Sequence, residues 1–177
     1  DLLTMRECFG TLAGLRVTYV GDGNNVARAL AFAATKVGLK LTLAGPPEYA
    51  CEDGLVETAD AGARRLGGSV RATDDPRAAA EGADVLYTDV WTSMGQEQES
   101  EHRRRSFGQY RIDAELLRLA SPAAIVMHDL PAHRGEEITD DVLDGPRSVV
   151  FQQAGNRMYA QNAILLWLLA DNGGGRR

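Results

Sequence analysis

Six short runs rich in apolar and β-branched residues alternate with helical stretches along the 177 residues, several of those runs are nearly all apolar, and a Gly-rich turn joins the first of them to a helix. Together these features predict an α/β fold: a three-layer, Rossmann-like, doubly wound parallel sheet in a single domain over residues 1–171.

The elements follow in order. Asp1, Leu2, Leu3, Met5 and Phe9 fall at helical spacing and Gly10 ends them, so a helix opens the chain. A first strand is expected over residues 16–20. Asn24 or Asn25 then starts a helix over 26–37 that Gly38 closes. Strands over 39–44 and 69–72 flank a helix over 55–66, introduced by Asp53 and followed by Gly67. Asp75-Pro76, with proline at the first helical position, opens a short helix before a strand over 84–88. Residues 96–106 read as a charged, solvent-facing helix, and Ile112-Asp113 caps another through Leu119. Strands over 124–127 and 148–151 complete the sheet. The last helix, from Gln153 to about Ala170, carries Ala154, Met158, Ala163, Ile164 and Trp167 as an apolar stripe that must pack on something. Residues 172–177 read as a flexible tail.

Nineteen basic against 25 acidic side chains leave a net charge of −6, which argues against nucleic-acid binding and against an anionic membrane surface. Cys8 and Cys51 lie too far apart for a metal knuckle or redox pair and are too few for a disulfide scaffold, so a cytoplasmic location is expected. Gln161 and Asn162 interrupt the longest apolar run, far short of the ~18 residues of a membrane span. Because the first residues read as a helix rather than a leader, the numbering is expected to begin inside a longer polypeptide.

A doubly wound sheet binds ligands beyond the carboxyl ends of its strands, where loops start at Gly21, Asp89 and His128. Gly21-Asp22-Gly23-Asn24-Asn25-Val26 departs from a dinucleotide fingerprint, since Val26 stands at the third glycine and the second strand ends in Ala44-Gly45-Pro46 without a ribose-binding acid. Its side-chain amides and free helix-start N–H groups suit a small carboxylate instead. The loop Asp89-Val90-Trp91-Thr92-Ser93-Met94-Gly95-Gln96 offers a counter-charge to an ammonium. In the loop from Met127 to Glu137, the spacing of His128, Asp129 and His133 matches no common zinc pattern, so no metal is expected. A cis Leu130-Pro131 peptide there would aim the turn carbonyls into the crevice. No Gly-x-Ser-x-Gly elbow surrounds Ser93, which removes a serine hydrolase. Arg157 sits in the first turn of the last helix, against the macrodipole, which points to a buried or ligand-facing role.

Gly21-Asp22-Gly23-Asn24-Asn25, Asp89-Val90-Trp91-Thr92-Ser93-Met94-Gly95-Gln96, His128-x-Leu130-Pro131 and Asn156-Arg157, in this order, resemble the acceptor-binding second half of the ornithine carbamoyltransferases. The resemblance runs from Asp1 to about Ala170. It implies a transferase that moves a carbamoyl group from carbamoyl phosphate to the δ-amine of L-ornithine, giving citrulline and phosphate, without a cofactor and as a homotrimer at full length. It further implies that Asn25 and Asn24 meet the acceptor's α-carboxylate region, that Asp89 pairs with its α-ammonium, and that Ser93 and Met94 hold the same end. Leu130 would offer its carbonyl toward the reacting amine, Arg157 would stabilise the carbamoyl oxygen, and His128 and Asp129 complete the catalytic turn.

Two positions depart from the family's pattern. Asp129 stands where members carry cysteine, placing a second carboxylate near Asp89, which is expected to change acceptor preference or lower ornithine turnover; Tyr159 stands where many carry histidine. The family's Ser-x-Arg-Thr-Arg and His-Pro-x-Gln segments for carbamoyl phosphate do not occur here, so this chain alone is expected not to catalyse transfer. Alternatives are a carbamoyltransferase for another amine and a non-catalytic amino-acid-binding module.

Overall fold

The structure, a computed structural model, describes residues 1–92 and 97–171. In chain order it runs α1 (Leu2–Phe9), β1 (Arg16–Val20), α2 (Asn25–Val37), β2 (Lys40–Ala44), α3 (Leu55–Arg64), β3 (Ser69–Thr73), α4 (Pro76–Ala80), β4 (Val85–Thr88), α5 (Ser100–Ser106), α6 (Ala114–Leu119), β5 (Ile125–His128), α7 (Asp140–Leu143) and α8 (Val150–Asp171). The five strands are parallel in the order β3-β2-β1-β4-β5. Alternate strand residues feed two cores. Val17, Tyr19, Leu41 and Tyr87 pack with Met5, Leu30 and Ala59 from α1 to α3. Leu86 and Val126 pack with Ala80, Leu116 and Val142 from α4, α6 and α7. A parallel sheet covered on both faces is the expected three-layer arrangement.

Helix ends follow the local chemistry. Asn24 caps α2 by accepting the Val26 and Ala27 amides, Asp75 does the same for Arg77 and Ala78, and Asp113 accepts from Leu116. Gly38 closes α2 at φ 70°, in the left-handed region. Asp53 does not cap α3: Gly54 takes that position at φ 78°, with no side-chain bond.

Two expectations need correction. Residues 148–151 are not a sixth strand. Ser148 makes one bridge to Val126, and α8 begins at Val150 because Gln153 replaces further pairing, its Oε1 accepting the backbone N–H of His128 at 3.0 Å. The charged helix α5 is not wholly solvent-facing, since Arg103 is buried within it. The apolar stripe of α8 does not pack among the described residues: Met158, Ile164 and Trp167 are all more than half exposed. The first turns of α8 are held through Gln152 and Asn156 to Glu7 and through Asn156 to Thr4 of α1. Residues 172–177 lie outside the described residues, as do Ser93 and Met94. No helix among the described residues is long and apolar enough to cross a membrane.

Candidate functional site

Strand order reverses between β1 and β4, so the loops leaving these two strands diverge and open a crevice between them. Thr88 ties the two strand ends together, its hydroxyl donating to the Val20 carbonyl at 2.6 Å. Beyond it, the Asn24 amide donates to Asp89 Oδ2 at 2.7 Å, while Asn24 Oδ1 takes the α2 amides and the Tyr19 hydroxyl. Asp89 Oδ1 accepts the Val90 amide at 2.7 Å. Burial and the nearby Asp89 and Asp22 carboxylates raise the Tyr19 pKa, which keeps this phenol a donor.

A buried ion pair braces these two loops. Arg103 Nη1 donates to Asp22 Oδ2 at 2.8 Å and to the Trp91 carbonyl at 2.9 Å, and its guanidinium lies 4.4 Å above the centre of the Tyr49 ring. One side chain from α5 thus touches the segments on either side of the crevice. Burial raises the Asp22 pKa, opposed by the Arg103 guanidinium. On the far side of the Gly21–Gly23 turn, a separate cavity of about 290 Å³ is lined by Tyr19, Asp22, Tyr49, Cys51, Thr73 and others. None of Asp89, His128 and Asp129 reaches it.

The third loop leaves β5 at His128, which is fully buried. Its Nδ1 accepts the Leu130 amide at 2.9 Å, so the ring proton sits on Nε2, which donates to Glu137 Oε1 at 3.0 Å. Glu137 Oε1 also accepts the His133 amide. The turn is tight: Leu130 has φ 56° and its bond to Pro131 is cis. One ligand atom each of Asp89, His128 and Asp129 fall within 4.8 Å of one another. Asp129 Oδ1 lies 3.6 Å from the unprotonated Nδ1 and accepts no hydrogen bond among the described residues. Burial and the neighbouring Asp89 carboxylate push the Asp129 carboxyl up to about 7. Two carboxylates this close favour either a proton or a cation between them.

The structure therefore brings Asn24, Asp89, His128, Asp129 and Leu130 to one rim. Asn25 is exposed on the first turn of α2. Arg157 is exposed on α8 and no hydrogen bond or ion pair joins its guanidinium to the others among the described residues, because the inward-facing positions of that turn are Gln153 and Asn156. Reasoning from sequence missed Arg103, Glu137 and Gln153. Arg103 is hidden in an Arg-Arg-Arg run; Glu137 lies within the loop already singled out, nine residues after His128, where its burial gives no local signal.

Comparison with known proteins matches this geometry to a family. The model for "Aspartate/ornithine carbamoyltransferase, Asp/Orn binding domain" matches residues 13–168. The ornithine carbamoyltransferase of Acidothermus cellulolyticus is 54% identical over 176 residues, covering 99% of this chain and 56% of that protein. The one from Gloeobacter violaceus is 53% identical over 169 residues, covering 96% and 54%. Among solved structures, ornithine carbamoyltransferase from Pyrococcus furiosus superposes with a TM-score of 0.89 at 48% identity, covering 93% of this chain and 53% of that one. The chain thus spans about half the length of the curated relatives it matches. With the family's acceptor-domain model covering most of its length and relatives above half identity, this chain belongs to the aspartate/ornithine carbamoyltransferase family.

Proposed function

We propose that this chain is the acceptor-binding half of an ornithine carbamoyltransferase, transferring a carbamoyl group from carbamoyl phosphate to the δ-amine of L-ornithine to give citrulline and phosphate. The observation that carries the reading is the acidic rim at the switch point, where Asp89, fixed by Asn24, faces Asp129, in a chain more than half identical to ornithine carbamoyltransferases. Asp89 pairs with the acceptor's α-ammonium, Asn24 and Asn25 lie toward its α-carboxylate, and Ser93 and Met94 hold the same end. The Leu130 carbonyl receives the reacting amine. Arg157, free in solvent on α8, serves the carbamoyl oxygen.

The δ-amine must be neutral to attack. Asp129, with a carboxyl near 7, is suited to take the proton released as the C–N bond forms and the C–O bond to phosphate breaks. His128, locked by Glu137, holds the turn that places it. Fixing both ends of a small zwitterion supplies orientation, which is the larger share of such catalysis. Carbamoyl phosphate is handled by the part of the enzyme outside this stretch, and the full-length protein is a cytoplasmic homotrimer.

The test is citrulline formation. The full-length protein carrying this stretch is expected to form it and the 177-residue chain alone to form none; citrulline from the chain alone, or none from the full-length protein, refutes the reading. In the same assay, acceptor profiles of the full-length protein and its Asp129→Cys variant are expected to differ. Indistinguishable profiles would remove Asp129 as a determinant of acceptor choice.

A further inference from the structure

The cavity of about 290 Å³ behind the Gly21–Gly23 turn lies at the carboxyl ends of β1, β2 and β3, apart from the crevice. Backbone hydrogen bonds fix its walls: Gly21 N–H donates to the Ala44 carbonyl at 2.9 Å, Gly23 N–H to Tyr49 at 2.8 Å and Gly45 N–H to Thr73 at 3.2 Å. A Cβ on Gly23 would strike the backbone of Ala50 and Cys51, and one on Gly45 the Gly21 carbonyl, so glycine at these two positions sets the close approach of the wall segments. Tyr49 is held by the Arg103 guanidinium over its ring and by Phe107, 5.0 Å away between ring centres. A concave, largely pre-formed, mostly apolar space of this kind is the usual setting for a small ligand.

The lining selects a ligand class. Leu43, Pro47 and Val56 offer apolar contact, and Tyr19 and Tyr49 offer aromatic rings. Both charged residues among those that line the cavity are acids, Asp22 and Asp74, and none is basic, so a phosphate or carboxylate finds no counter-charge there. The two acids differ. Asp22 is buried and already paired with Arg103, whereas Asp74 is exposed and its carboxylate makes no ion pair among the described residues. A volume at the lower end of ligand pockets fits one ring or a fused pair with a short chain. We propose that this cavity binds a small aryl-alkylammonium compound, its ring against Leu43, Val56 and Tyr49 and its ammonium on Asp74.

Calorimetric titration of the chain with tryptamine tests this. The expected result is a one-to-one complex whose affinity falls about threefold in Asp74→Asn and is lost in Ala72→Phe, which carries a ring into the cavity from an exposed position on β3. Both variants change exposed side chains, and an unaltered melting temperature verifies that they fold. Excess L-ornithine and Asp129→Asn are expected to leave the affinity unchanged, because Asp129 does not line this cavity. Bound tryptamine should also slow alkylation of the half-buried Cys51, which lines the cavity, and leave the exposed Cys8 unaffected. Indole-3-propionate, with the same ring and an anionic chain, should bind more weakly. Equal binding of indole-3-propionate, affinity that survives Ala72→Phe, displacement by L-ornithine, an unprotected Cys51, or no binding of tryptamine overturns the proposal.

Discussion

The two banks of the crevice are built on opposite terms. At the β1 and β4 loops, Asn24 pairs with Asp89 and Arg103 with Asp22, and both oxygens of Asp89 are taken. On the β5 side, Asp129 Oδ1 and Glu137 Oε2 are buried acceptors without donors among the described residues. The contrast teaches where rigidity ends and reactivity starts. A satisfied network fixes loop positions, whereas unsatisfied acceptors on a fixed turn are poised for a cation or a proton.

The sharpest way to break this comparison is to remove the brace. Arg103→Met strands the buried Asp22 carboxylate and is expected to cost about 3–5 kcal/mol in urea denaturation. The double variant Asp22→Asn/Arg103→Met should recover much of that; a single-variant loss under about 1 kcal/mol would show that the satisfied bank is not what holds the loops. Next in size, Asn24→Ala removes both the α2 cap and a donor to Asp89, with an expected loss of about 1–2 kcal/mol.

The smallest effect sharpens the other bank. Because the folded Asp129 carboxyl sits near 7 against an ordinary 3.8, the folded chain holds a proton that the unfolded chain has released between those values. Stability is therefore lost as pH rises from about 4 to about 7. Relative to Asp129→Asn, the wild type should lose about 1 kcal/mol across that window, a figure reduced for the partial exposure of this side chain. Parallel stability curves for the two proteins would put Asp129 on the satisfied side.

Much of this frame was legible in the sequence because it is written locally. Apolar strands, Asn24, Asp75 and Asp113 at helix starts, and glycine at helix ends each act on their own neighbours, and the alternation of elements sets the sheet. The rim residues Asp89, His128 and Asp129 were legible because residues at or just past a strand's carboxyl end emerge at the sheet edge where ligands bind. Arg103 was not, since its partner lies 81 positions away and nothing separates it from Arg104 and Arg105 beside it. The strand misread over 148–151 has a similar origin. Val149 and Val150 have the composition of a strand, and only the long-range bond from His128 to Gln153 shows that a side chain closes the sheet edge. Arg157 was singled out as a first-turn residue opposing the helix dipole, but α8 begins at Val150, so Arg157 stands about two turns in, where the dipole exerts little effect.

The outer half of α8 has a thermodynamic consequence. Met158, Tyr159, Ile164, Leu165, Leu166, Trp167 and Leu169 are already more than half hydrated in the folded monomer. Melting wets them little further, so the heat-capacity increment of unfolding should fall below the ordinary ~12–15 cal/mol/K per residue, and the stability curve should be correspondingly flat. Scanning calorimetry at low protein concentration would read that increment directly.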